Sequence, residues 1–171
     1  MLSESIGKAL NDQLNFELYS ANIYLSMAAY FDSVNLAGLA SWMKVQHQEE
    51  MMHMTKFYDY VNERGGKVVF TGCPDPPTDW DSPLAVFEHA LAHERIVTSR
   101  INDLMSLAMA EKDHASVSEL QWFVTEQVEE ESSADAVVQQ LKLMAGAPGG
   151  LFMLDRELGQ RVFNAPPEGD A

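Results

Sequence analysis

The chain has one cysteine, few basic residues and no long apolar run, and each shortage excludes a class of protein. Cys73 alone cannot form an intrachain disulfide, a cysteine-based zinc site or an iron–sulfur cluster. Lys and Arg number 11 against 26 Asp and Glu, so the formal net charge is −15, the wrong sign for binding nucleic-acid phosphates. No stretch approaches the ~20 apolar residues of a membrane span, and the N-terminus lacks a basic-then-apolar signal. We therefore expect a cytoplasmic protein that binds neither nucleic acid nor membranes and whose charge favours metal cations.

Proline is also absent from most of the chain. Its 7 copies are confined to residues 74–83, 148 and 166–167. Residues 1–73 and 84–147 are free of this helix breaker and are rich in Ala, Leu, Glu and Met. Within these intervals apolar residues recur every three or four positions, which is the period of a one-sided helix. The sequence predicts an all-α protein with one domain at residues 1–165 and a polar tail at 166–171.

The two proline-free intervals divide into four long helices, and a short fifth follows them. Gly65 and Gly66 end the second helix, and Ser82 followed by Pro83 is a typical start for the third. The predicted helices are at about residues 3–31, 39–64, 83–111, 114–145 and 151–163. The second is about 39 Å long, and the ~18 residues after it reach up to ~59 Å when extended. This connection can return along the whole helix, which predicts a four-helix bundle with one long crossover between the second and third helices.

Each of the four long helices places a glutamate on the stripe that is otherwise apolar. The four residues are Glu17, Glu50, Glu94 and Glu130. Burying an unpaired carboxylate costs several kcal/mol, so four converging ones need protons or cations. Their charges balance two divalent cations, and also two ferric ions joined by one oxide. Glu50 and His53 have the Glu-x-x-His spacing of carboxylate di-metal bundles, whose hard donors favour iron or manganese.

Three segments match a known family. They are residues 48–54 (QEEMMHM), 120–131 (LQWFVTEQVEEE) and 151–158 (LFMLDREL). With these motifs the chain resembles the non-haem bacterial ferritins over essentially its whole length. The resemblance implies the ferritin-like fold, a homo-oligomeric shell of 24 chains, a diiron ferroxidase centre in each bundle and a ferric oxyhydroxide mineral inside the shell.

The resemblance also implies which residues bind iron. The ligands that it implies for the first iron are Glu17, Glu50 and His53. Those for the second are Glu50, Glu94 and Glu130, with Glu50 bridging the pair. Gln127 is also expected among the metal-binding residues, where the family has an amide beside the centre. Tyr24 stands where the family has a tyrosine that supplies an electron or a hydrogen bond. The five ligands and Tyr24 form the expected catalytic set.

A third iron site is implied beside the diiron centre, whereas haem is not expected. The ligands of the third site are Glu49, Glu126 and Glu129, with Glu130 shared. Met51 follows Glu50 as a haem-ligating methionine does in bacterioferritins. Non-haem relatives also carry methionine there, so the expected cofactor is iron alone.

The fourth helix offers Gln127-x-x-Glu130 in place of a second Glu-x-x-His. The second iron would then have fewer protein ligands, and a weakly held ion suits a substrate that moves on to a mineral. The sequence therefore predicts iron storage by a ferroxidase, with Fe(II) oxidised by dioxygen or hydrogen peroxide. The alternative is a diiron oxidase or peroxidase of the rubrerythrin type without a mineral. A DNA-protecting mini-ferritin is disfavoured by the net charge and by ligands that lie within one bundle.

Two further expectations concern the outside of the bundle. His89 and His93 lie four residues apart, and we expect both on a solvated surface. The apolar stripe of the last helix has no place on a complete four-helix core, so we expect it at an interface between chains.

Overall fold

The structure, a computed structural model, describes residues 2–164 and consists of five helices. They are α1 (Glu4–Ser33), α2 (Ala37–Glu63), α3 (Pro83–Ala110), α4 (His114–Leu143) and α5 (Gly150–Leu158). No strand occurs within these described residues, so the predicted all-α bundle is confirmed. The polar tail predicted at 166–171 lies outside them. None of the described helices combines the length and the apolar character needed to cross a membrane.

Polar residues begin three of the long helices. The side chains of Ser3, Ser82 and Asp113 each accept a hydrogen bond from the backbone N–H three residues further on. These caps satisfy donors that the first turn of a helix leaves unpaired. The predicted starts of α3 and α4 therefore coincide with the observed ones.

The helix ends differ from the prediction mainly at the C-terminus. α5 ends at Leu158 rather than at residue 163. Differences of two residues occur where α1 ends at Ser33 rather than at 31, α2 begins at Ala37 rather than at 39, and α4 ends at Leu143 rather than at 145. After α5 the chain passes close to α2. A Cβ added to Gly159 would lie only 3.1 Å from the Cα of Gly38. Contacts of residues 159–164 with α2 therefore take the place of a continued helix.

The core consists of two apolar clusters, one towards each end of the bundle. The cluster near the α1–α2 turn includes Phe31, Trp42, Phe87 and Leu141. The cluster near the other end includes Leu10, Phe57, Ile101 and Phe123, and the rings of Phe57 and Phe123 stack 4.2 Å apart. Between the clusters lies a layer of buried polar and charged side chains. The apolar ends stabilise the bundle and position this polar layer.

The crossover, residues 64–82, runs along α1. Asn11 accepts a hydrogen bond from the N–H of Val69 at 2.7 Å, and Asn15 donates one to the carbonyl of Val69 at 2.8 Å. Near the other end of α1, the rings of Tyr30 and Trp80 lie 5.5 Å apart. The crossover therefore runs in the direction of α1 and opposite to α2. As a result α3 begins beside the start of α2 and runs parallel to it, as the length of the connection predicts.

α5 docks on the first turn of α2. Leu36, the residue before α2, provides no side-chain cap, and Asp155 of α5 takes that role. Its Oδ1 accepts from the N–H groups of Gly38 at 2.8 Å and Leu39 at 2.9 Å. A Cβ at Gly38 would lie 1.6 Å from the carbonyl oxygen of Asp155, so only glycine permits this approach. The negative charge of Asp155 is also attracted to the positive N-terminal end of the α2 helix dipole, which stabilises the contact.

We expect Asp155→Ala to loosen α5 from α2. The substitution removes two hydrogen bonds and a favourable charge, and the loss of a helix cap costs about 1–2 kcal/mol. Hydrogen exchange followed by mass spectrometry should show faster exchange at residues 37–39 and throughout α5. Glu157→Ala, an exposed position of the same helix, is the control and should exchange like the wild type. Unchanged exchange in Asp155→Ala would show that the cap does not hold α5.

Candidate metal centre

The polar layer in the middle of the bundle contains one or two acidic or imidazole side chains from each long helix. They are Glu17 from α1, Glu50 and His53 from α2, Glu94 from α3 and Glu130 from α4, each no more than 5% exposed. The helical period places each one on the inner face, where the apolar stripe would otherwise continue. The structure therefore places the five residues expected as diiron ligands in one buried layer. Among the described residues, however, Glu50, Glu94 and Glu130, the set expected for the second iron, do not form a group close enough to hold an ion.

Two groups of three residues converge closely enough to hold a metal ion. In the first, one ligand atom each from Glu17, Glu50 and His53 lies within 4.8 Å of the others. In the second, the same holds for His53, Glu126 and Glu130. The first group coincides with the predicted first-iron ligands. The second differs from the predicted third site, because His53 joins Glu126 and Glu130 while Glu49 and Glu129 belong to neither group of the described residues.

Three buried polar atoms of the first group have no hydrogen-bond partner. They are Oε2 of Glu17, Oε2 of Glu50 and Nε2 of His53. Buried polar atoms are nearly always paired, because leaving one unpaired costs about 1–3 kcal/mol. Carboxylate oxygens and an imidazole nitrogen are also the donors that ferrous and ferric iron accept. The unpaired atoms and the donor set therefore fit a cation bound at this position.

Amide side chains hold the carboxylates in place. Gln13 donates to Glu17 at 2.8 Å, and Gln46 donates to Glu130 at 2.8 Å. Gln127 lies 3.2 Å from Glu94 and donates to it, so the expected amide is beside the centre. Gln13 and Gln46 are functional residues that were not predicted from the sequence. Each precedes a buried glutamate by four positions on the same stripe, and that repeated spacing is the signal that marks them.

Burial and mutual repulsion favour protonated carboxyl groups in the centre. Burial raises the pKa of Glu94 to about 8, and the charge of Glu130 adds to the rise. Burial also raises the pKa of Glu17, and it raises the pKa of Glu50 well above its usual value together with the charge of Glu94. Without cations the centre therefore retains protons at neutral pH, and cations that bind there displace them.

Tyr24 contacts the centre directly. Its hydroxyl is fully buried and donates a hydrogen bond to Oε1 of Glu94. Burial, followed by the charges of Glu94 and Glu50, raises the pKa of Tyr24 well above its usual value. Tyr24 therefore keeps its proton and stays a hydrogen-bond donor.

His93 is buried rather than solvated, which corrects the expectation for this residue. It is 4% exposed, its Nε2 lies 2.7 Å from Ser20 Oγ, and its ring stacks on Phe16 at 5.4 Å. Burial lowers the pKa of His93 to about 4, so the ring is neutral. His89 is half-buried and accepts a hydrogen bond from the indole N–H of Trp80 at 3.0 Å. The two histidines therefore have separate partners and share no metal-binding surface.

The three residues expected at the third site have different surroundings. Glu126 is half-buried and faces His53 and Glu130. Glu129 is exposed. Glu49 is half-buried and forms an ion pair with Arg161, Nη2 to Oε2 2.7 Å. A third site made of Glu49, Glu126, Glu129 and Glu130 is therefore not assembled in this arrangement of the side chains.

Comparisons with known proteins agree with this architecture. The family model described as ferritin-like domain matches residues 7–144. The bacterial non-heme ferritin of Bacteroides fragilis (strain 638R) is 44% identical over 161 residues, which are 94% of this chain and 100% of that protein. The bacterial non-heme ferritin of Staphylococcus haemolyticus is 40% identical over 164 residues, 96% of this chain and 99% of that protein. Among solved structures, an open pore ferritin from the archaeon Archaeoglobus fulgidus has a TM-score of 0.94 and 52% identity, covering 95% of this chain and 100% of that one.

We expect the metal-free protein to lose stability as the pH rises. Glu94 has a pKa of about 8 in the folded chain against an ordinary glutamate value of 4.5, so between these pH values the folded state binds more protons than the unfolded one. Its contribution is fully present below pH 4.5 and is lost as the pH rises through about 8. Glu94→Gln does not titrate, so its thermal midpoint should fall less over this interval.

The measurement is the thermal midpoint of chelator-treated protein at several pH values. Asp103→Asn, an exposed position of the same helix, is the control and should follow the wild type. Parallel curves for Glu94→Gln and the wild type would contradict the assignment of a raised pKa to Glu94.

Proposed function

The chain belongs to the non-haem ferritin family, and from this premise we propose that it oxidises Fe(II) to Fe(III) between its four long helices and stores the product as a ferric oxyhydroxide mineral. One observation carries the proposal. Glu17, Glu50 and His53 converge in the centre of the bundle, and each has a buried ligand atom without a hydrogen-bond partner. An enclosed set of carboxyl and imidazole donors without partners is suited to binding a cation from solution, which displaces the protons held there.

The two iron ions are substrates of this centre. We assign the first to Glu17, Glu50 and His53, and the second to Glu50, Glu94 and Glu130. Each Fe(II) gives one electron to the oxidant, which is dioxygen or hydrogen peroxide. The protein holds the two ions near each other, as two-metal sites do, so that one oxidant accepts electrons from both. Hydrolysis of Fe(III) then releases protons and forms the mineral.

The second iron position has fewer protein ligands than a permanent diiron cofactor would need, and this supports iron storage. Gln127 and Glu130 take the places of the glutamate and the histidine of a second Glu-x-x-His, and Gln127 donates to Glu94, so its NH₂ group faces the ligand and not a metal. The second iron therefore has carboxylates only. An ion that lacks an imidazole ligand leaves more readily, which suits a product on its way to a mineral.

Beyond the diiron centre, we propose a further iron position at Glu126 and Glu130, with Glu49 and Glu129 completing it after side-chain movement. Iron there is in transit, because Glu129 is exposed and Glu126 is only half-buried.

We further propose that 24 identical chains form a closed shell in the cytoplasm. α5 supports an interface, since Phe152 and Met153 are 65% and 72% exposed on an amphipathic helix that buries only Leu154. Exposed apolar side chains in a cluster typically mark contacts between proteins. The single-domain organisation over residues 1–165 is part of this proposal.

The decisive test adds Fe(II) in air to the metal-free protein, well beyond two ions per chain, and then measures particle size and iron per chain. We expect a large shell that keeps far more iron soluble than its ligands can coordinate. Saturation at two or three ions per chain would instead support a diiron oxidase or peroxidase of the rubrerythrin type.

In the same assay, Glu50→Gln should slow Fe(II) oxidation at least about tenfold, because the residue is shared by both iron positions. The apolar ends of the bundle remain, so the helical content should not change. Glu63→Gln, an exposed position of the same helix, is the matched control and should oxidise iron at the wild-type rate. Equal rates in the two variants would contradict the assigned centre.

We expect Tyr24→Phe to shift cation binding to higher pH. The hydrogen bond from Tyr24 lowers the pKa of Glu94, so its loss raises that pKa and leaves Glu94 protonated over a wider range. The acidic limb of a pH profile of Zn²⁺ binding should therefore move to higher pH. Tyr30→Phe, which lies near the crossover, should leave the profile unchanged. An unshifted limb in Tyr24→Phe would show that the hydrogen bond does not tune Glu94.

A further inference from the structure

Arg161, three residues after the end of α5, contacts one face of α2. Its Nη2 donates to Oε2 of Glu49 at 2.7 Å, and its Nη1 donates to Oε1 of Gln46. The guanidinium also lies over the indole of Trp42, 4.5 Å from the ring centroid. One cation from the C-terminal segment therefore contacts three residues on successive turns of α2, immediately beside the metal centre.

Through Gln46, Arg161 acts on a proposed iron ligand that it does not touch. Gln46 is 1% exposed, so both ends of its amide need partners inside the protein. A guanidinium only donates hydrogen bonds, so the oxygen of Gln46 must face Arg161. The NH₂ group then points at Glu130 and donates to its Oε2 at 2.8 Å. Arg161 thereby sets the orientation of the amide that holds Glu130.

Arg161 also accounts for the absence of Glu49 from the third site. Glu126 and Glu130 converge with His53, whereas Glu49 is paired with the guanidinium. Arginine stays positively charged at all accessible pH values. The Arg161 guanidinium therefore already occupies the position that a divalent cation would take at Glu49. The two positive charges would repel each other strongly if both contacted the carboxylate.

We propose that Arg161 is a positioning residue whose guanidinium occupies the cation position at Glu49. Arg161 leaves the Glu49 carboxylate only when a divalent cation binds to Glu49 together with Glu126 and Glu130. The inference rests on the proposed function. Because Arg161 must be displaced, the third position binds more weakly than the first two and fills after them. Its departure also frees Gln46, so loading of the third position changes the support of Glu130 and detaches residues 159–164 from α2.

The first test is calorimetric titration of the chelator-treated full-length protein with Zn²⁺, which does not change oxidation state. In Arg161→Gln we expect the third cation to bind about tenfold more tightly, equivalent to about 1.4 kcal/mol. The first two cations should bind as in the wild type. Arg161→Lys retains the charge and should stay near the wild type.

Two variants show whether the effect runs through Glu49. Arg156→Gln removes the same charge from an exposed position of α5 and should leave every affinity unchanged. Adding Glu49→Gln to Arg161→Gln should abolish the tenfold gain, because the carboxylate that Arg161 occupies is then gone. A gain that persists in the double variant would overturn the proposal.

The second test follows the displacement itself. In a protein with Trp80→Phe and Trp122→Phe, the remaining indole is Trp42, which lies under Arg161. Its fluorescence should change at the third Zn²⁺ and not at the first two. With Arg161→Gln added, the third step should leave the fluorescence unchanged. A purely structural role for Arg161 predicts no step at the third cation.

The outcomes separate this inference from the proposed function. If the wild type binds no cation tightly, both the proposed centre and the inference about Arg161 are wrong. If two cations bind tightly but the third is unaffected or weakened by Arg161→Gln, the inference alone is overturned. The absence of a fluorescence step at the third cation has the same consequence.

Discussion

The burial of four carboxylates and one imidazole at the centre of the bundle is the constraint on which the rest of the structure depends. Ionised groups removed from water need partners, and the protein supplies too few for Glu17, Glu50 and His53. The centre can therefore exist in two forms, one holding protons and one holding cations. Binding of cations is favourable because it relieves the repulsion among the carboxylates, and it releases the protons that burial retained.

The rest of the bundle is organised around this destabilised layer. Two apolar clusters, one on each side, provide the packing that keeps four helices in register. Gln13, Gln46, Gln127 and Tyr24 each donate a hydrogen bond to a carboxylate, which fixes its direction without adding charge. Neutral donors suit this role, because a buried Lys or Arg at the same place would neutralise the carboxylates and compete with metal.

The C-terminal region is bound to α2 through two charged side chains. Asp155 caps the first turn of that helix, and Arg161 pairs with Glu49 next to the centre. Both contacts are electrostatic and lie at the edge of the bundle, whereas the two clusters that hold the four long helices together are apolar. Cations that bind beside Glu49 therefore affect the C-terminal segment more readily than they affect the fold.

The sequence by itself determined the helical class, the long crossover, and the four inward glutamates with the Glu50-x-x-His53 spacing. Helical period and chain length are local properties, so they can be counted along the chain.

Only the tertiary structure decided which groups meet across helices: Gln46 with Glu130, Tyr24 with Glu94, Ser20 with buried His93, and Arg161 with Glu49. A spacing indicates which residues share a face, but the partner of that face is set by how the helices pack. For this reason the inward faces of the expected diiron residues followed from the sequence, whereas the surroundings of Glu49, Glu129 and His93 did not.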